Sequence, residues 1–124
     1  MIYEKKIEII NKDLNLIDTP DWGIINSKAN RLNEFINYYN ETIIDEKTKI
    51  EFIDLICSSM NAAILEEKVD CKLKYKFTKY LYSIEETEIN LMILVNWASY
   101  DSNDIDEYPV SIIIEKMLNE RGFI

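Results

Sequence analysis

The sequence predicts an all-α fold, a compact bundle of five or six helices forming a single helical domain over residues 1–124. Three observations carry this expectation. Only 2 Gly and 2 Pro occur, whereas an all-β chain needs a turn about every ten residues. Apolar residues recur at steps of three and four through most of the chain, the period of a helix with one buried face. At 48% hydrophobic and 30% charged residues the chain is globular rather than disordered, and long enough to bury roughly two-thirds of its unfolded surface.

Taken in order, Tyr3, Ile7, Ile10, Leu14 and Ile17 stack on one face of a first helix. Asp18-Thr19-Pro20-Asp21-Trp22-Gly23 breaks it, because Pro20 disfavours helix at Thr19 and Gly23 permits a left-handed turn. Asn26 or Ser27 caps a second helix, with Ala29, Leu32, Phe35, Ile36 and Tyr39 facing inward. Asp45 caps a third, through Ile50, Ile53, Cys57, Met60 and Ile64 to about Lys68.

Residues 71–82 carry two patterns. Cys71, Leu73, Tyr75 and Phe77 alternate with lysines as a strand would, while Leu73, Phe77, Tyr80 and Leu81 form a helical face. Helix is preferred, since a lone strand has no partner elsewhere. Ser83-Ile84-Glu85-Glu86 has the form of a capping box. It opens a helix bearing Ile84, Leu91, Met92, Val95 and Trp97, apolar on most sides and therefore expected at the centre. After an acidic loop at Asp101–Tyr108, Pro109 takes the first helical position. Val110, Ile113, Ile114, Met117 and Leu118 line the last helix, and Gly122 ends it.

Charge narrows the partners. The net charge is −9, with +4 concentrated in residues 72–83 and −13 over the rest. Phosphate backbones repel such a surface, so direct nucleic-acid binding is not expected and a basic protein partner is. The apolar run Leu91–Val95 is far too short to span a bilayer, and the N-terminus has no signal-peptide core. A cytoplasmic protein with no membrane association is expected, as a monomer or homodimer, with Cys57 and Cys71 as free thiols.

Catalytic chemistry is not expected. The chain has no His, which removes the usual general base, the His-activated nucleophiles and the commonest zinc ligand. Two separated glycines cannot build a phosphate loop. The acids Glu66-Glu67-Asp70 and Glu85-Glu86-Glu88 read as solvated helix ends. The 101–107 loop fails as an EF-hand: Ile105 stands at a ligand position, Asp106 where Gly is needed, and no Glu closes it. No catalytic residue, metal or cofactor is expected.

Three segments remain as binding surfaces. Lys72, Lys74, Lys76 and Lys79, interleaved with Tyr75, Phe77, Tyr80 and Tyr82, suggest a nucleic-acid patch. On so acidic a chain they read better as a solvated face backed by core aromatics, pairing with the Glu66-Glu67 and Glu85-Glu86 acids. Asn26, Asn30, Asn33 and Asn37 line one outer face of the second helix, as an amide ladder or as a wet face of biased composition. The most partner-like is Trp97–Tyr108, where Tyr100 and Tyr108 flank Asp101, Asp104, Asp106 and Glu107. Aromatics supply rigid contact area, and clustered acids steer a basic partner.

Asp104-Ile105-Asp106-Glu107-Tyr108-Pro109, followed by Ile113, Ile114, Lys116, Leu118, Gly122 and Phe123, resembles the last third of helical immunity proteins for nuclease bacteriocins. Those small acidic bundles also place acids and tyrosine before a final amphipathic helix that ends at Gly. Where they carry paired tyrosines, this chain has one. The resemblance implies that Asp104, Asp106, Glu107 and Tyr108 lie on a toxin-binding side. Size, acidity and absence of catalytic chemistry are also similar to immunity proteins of contact-dependent inhibition systems. The expected function is neutralisation of a cognate bacterial toxin, a nuclease whose basic cleft is occluded; the alternative is a helical regulatory or adaptor protein with no toxin involved.

Overall fold

In a computed structural model, residues 4–99 and 106–124 are described. Among them are seven α-helices and no named strand: α1 (Ile7–Leu14), α2 (Trp22–Ile25), α3 (Leu32–Glu41), α4 (Glu46–Leu65), α5 (Cys71–Ser83), α6 (Glu88–Ala98) and α7 (Val110–Glu120). The fold is all-α. The count exceeds the expectation by the single turn α2, which falls at the end of the break expected over 18–23. Residues 71–83 are helical, which resolves the competing strand pattern there.

The centre is α4, not α6. Phe52, Leu55, Ile56, Cys57, Met60 and Ala63 are fully buried, and α4 packs against α2, α3, α6, α7 and the 3-10 turn Ala29–Arg31. Asp45 caps it as expected, accepting from the Thr48 amide at 2.8 Å. It ends at Leu65 rather than Lys68 because Glu67 turns left-handed at φ 56, and the Lys68 amide folds back on the Ala63 carbonyl. By contrast α6 buries only Leu94 and Trp97. Ile89, Met92 and Val95 stay 51%, 56% and 39% exposed on its outer side. With apolar residues on every side, sequence period alone could not say which face is buried.

The first forty residues wrap α4 by polar ties. Lys5 forms an isolated parallel bridge with Ile44, so α1 starts at Ile7, and Ile17, past the helix end, is exposed. Tyr3 lies outside the described residues. The left-handed residue of the break is Asp21, φ 55; Gly23 is helical and buried inside α2. Its lack of a side chain serves contact: a Cβ there would lie 2.7 Å from the Leu55 amide nitrogen. Neither Asn26 nor Ser27 caps α3. Asn26 is buried, accepts from the Ile17 amide and donates to the Ile17 and Trp22 carbonyls, while the Ser27 hydroxyl donates to the Ile24 carbonyl.

The capping box at 83–86 is also displaced. Ser83 is the last residue of α5 and donates to the Tyr80 carbonyl at 2.6 Å. Thr87 caps α6 instead, its hydroxyl oxygen accepting from the Asn90 amide at 3.2 Å, and Glu86 pairs with Arg121, just past α7. Thr87→Ala should therefore cost about 1 kcal/mol, and Ser83→Ala no more than about 0.5 kcal/mol. Urea unfolding of both variants checks this, and the reverse order would restore the cap to Ser83. At the far end Gly122 closes the last helix as expected, while Pro109 stands one residue before the first helical position, as the N-cap. Pro109 has helical angles just before α7, and Gly122, φ 78, closes it as the Phe123 amide donates to the Leu118 carbonyl.

Candidate functional site

Of the residues singled out for partner binding, Asp106, Glu107 and Tyr108 are described; Tyr100, Asp101 and Asp104 lie outside the described residues. Asp106 and Glu107 are exposed, and Tyr108 is half-buried against the core. Their backbone is held from α4. Asn61, itself buried, donates to the Glu107 carbonyl at 2.8 Å and accepts from the Val110 amide at 3.2 Å. One amide side chain thus satisfies both ends of the Glu107–Val110 segment and fixes how the acids leave the surface. Ser111 adds a second tie, donating to the Trp97 carbonyl at 2.6 Å and joining the start of α7 to the end of α6.

Beside Tyr108 a cavity of about 290 Å³ opens between α2 and α6, with α4 as its floor. Ile24 and Ile93 form its walls, and Asp54, Ser58 and Asn61 its floor; Trp97 and Tyr108 complete it. Asp54 accepts from the Trp97 indole N–H at 2.9 Å through Oδ1. The sequence offered a signal for Asp54 and Asn61, polar side chains set within the apolar run of α4. Which groups they meet, 43 and 46 residues away, is a property of the fold.

Of the other two surfaces, the Asn ladder departs from expectation, and the lysine segment is the expected solvated face without the expected acid pairing. Asn26 is buried among backbone groups, and only Asn30 and Asn33 of the proposed ladder are exposed, so it is not one face. Lys72, Lys74 and Lys79 project from α5 while Phe77 and Tyr80 enter the core, the solvated arrangement. They do not pair with the acids proposed for them: Glu66 is bound by Lys68, Glu86 by Arg121, and Lys76 donates to Asn33. Both cysteines are free, Cys57 buried and Cys71 exposed, and burial pushes the Cys57 thiol far above its ordinary range.

Among the described residues no three acids or cysteines converge as a metal-holding group, and no helix is long and apolar enough to cross a membrane. No family model, curated protein or solved structure matches this chain.

Proposed function

We propose that this protein is an immunity protein that binds a cognate bacterial toxin, a nuclease with a basic active-site cleft, and neutralises it by occlusion. The observation that supports the reading best is the Asn61-held acidic edge, Asp106 and Glu107 beside Tyr108. Pinning the backbone from a buried helix lowers the ordering cost of binding. Exposed acids on a chain of net charge −9 speed encounter with a basic surface and orient it. Occlusion needs no bond chemistry. It requires only that contact area and charge match the cleft.

The test is co-expression with nuclease toxin domains, the product of any toxin gene beside the chain's own among them. Wild type should protect the cells. The triple variant Asp104→Lys, Asp106→Lys and Glu107→Lys sets positive charge against a positive cleft, and should lose protection while binding weakens by about tenfold or more. At the exposed Asp106 and Glu107 the substitutions should move stability by only about 0.5 kcal/mol. A variant that melts, binds and protects like wild type would put the contact elsewhere, and a wild type that never protects would refute the function.

A further inference from the structure

The cavity beside the acidic edge has the chemistry of a pocket for one cationic side chain. Among the described residues, its only charged lining group is Asp54. One carboxylate oxygen is engaged by the Trp97 indole, and no hydrogen bond from a described residue reaches the other. Among the described residues no Lys or Arg lines the space, whereas the larger cleft between α4 and the α5–α6 connection contains Lys49, already beside Glu46. The walls suit an aliphatic stem, since Ile24 is half exposed and Ile93 partly buried. The Trp97 indole N–H meets the carboxylate, and Tyr108 lines the same pocket. At about 290 Å³ the pocket lies just under the roughly 300–1,000 Å³ of small-molecule sites.

The two walls of this pocket are part apolar. Ile93 of α6 lines it, and the neighbouring Met92 is 56% exposed. On the opposite wall Ile24 of α2 is 50% exposed. Apolar walls beside one charged anchor shed water around an inserted side chain, the setting in which a single residue contributes most to affinity.

We propose that this pocket receives an arginine side chain of the protein partner, its guanidinium on the free oxygen of Asp54. Arginine fits better than lysine because its planar head offers several donors at once. The inference deepens the immunity reading by naming the residue type that the acidic edge would guide into place.

The experiment follows the Trp97 indole N–H resonance, assigned by its loss in Trp97→Phe, while N-acetyl-arginine amide is titrated into the full chain. A saturable shift is expected. The Trp22 indole, bound to Asn11 on α1, should stay still as an internal reference. The isosteric but uncharged N-acetyl-citrulline amide should leave Trp97 unmoved. Asp54→Asn keeps an oxygen for the indole, so the fold is retained, and should weaken arginine binding by about tenfold or more. An unmoved Trp97 resonance, an equal response to citrulline, or full binding by Asp54→Asn would each overturn the pocket. The functional reading is separable: toxin protection that survives Asp54→Asn with no arginine response removes the pocket alone, and an intact arginine response in a protein that protects against no toxin removes the function alone.

Discussion

Replacing Phe52 by alanine should cost about 3–5 kcal/mol, the largest single loss of stability expected in this chain. Phe52 is fully buried near the start of the central helix. Its ring lies 5.6 Å from that of Trp22, 6.2 Å from Tyr38 in a stacked pair and 5.8 Å from Tyr39. Tyr39 in turn meets Tyr80 edge-on at 5.1 Å. One side chain therefore joins α2, α3 and, through Tyr39, α5. Removing it leaves a cavity walled by large rings that cannot all close in, and each ring contact contributes something beyond area. Urea unfolding should show a lower midpoint with unchanged slope, and the melting temperature should fall by roughly 10–20 °C. Phe52→Leu, which keeps most of the volume, should cost less than about 1.5 kcal/mol. Equal stability of the alanine variant and wild type would mean that this aromatic cluster is not packed as described.

A methyl group at Gly23 should be nearly as damaging, with a sign opposite to the usual one. Alanine ordinarily improves on glycine within a helix by about 0.5–1 kcal/mol. Here its Cβ would stand 2.7 Å from the Leu55 amide nitrogen, 2.8 Å from Asp54 Cβ and 2.9 Å from the Glu51 carbonyl oxygen. Two of these atoms are backbone of α4, which cannot rotate away as a side-chain tip would. Either α2 lifts from α4 or the variant unfolds more readily, at a cost of about 1–3 kcal/mol or somewhat more. Gly122→Ala is the contrasting case: nothing lies within 4 Å of its Cβ, and only the left-handed backbone at φ 78 resists. About 1–2 kcal/mol is expected there. Denaturant unfolding of the two variants separates crowding from backbone conformation. A Gly23→Ala protein as stable as wild type would refute the close approach of α2 and α4.

These two positions show what the sequence could convey. The helical period located α7 because its apolar residues occupy one side: Val110, Ile114, Met117 and Leu118 are all buried. The same period failed on α6, where apolar residues surround the helix and the choice of buried face falls to polar ties, Trp97 to Asp54 and Ser111 to the Trp97 carbonyl. Gly23 invited a conformational explanation because glycine most often serves one locally. Its actual use, closeness to a helix some thirty residues onward, carries no local mark. Asparagine is common as a cap and as a surface amide, yet Asn26 bonds the backbone at both ends of the break. The acids at 106 and 107 were legible as exposed charge. The residue that positions them, Asn61, and the carboxylate of Asp54 beneath the neighbouring cavity were visible only as polar interruptions of an apolar helix.

Those interruptions have a further consequence for how uniquely the chain folds. Smooth apolar helices can slide past one another by a turn, about 5.4 Å, and repack at small cost. Along α4 the end of α2, the 3-10 turn, α6 and α7 are each fixed in register by a directional bond. Asp54 holds α6 through Trp97. Ser58 accepts no slippage of the α2 end, donating to Ser27, and Ser59 receives the Lys28 amide before the 3-10 turn. Asn61 indexes the start of α7. A shift by one turn would break every one of these bonds and leave buried polar groups without partners, each at about 1–3 kcal/mol. Apolar burial drives the helices together, and the polar positions of α4 select a single alignment among the several that burial alone would allow.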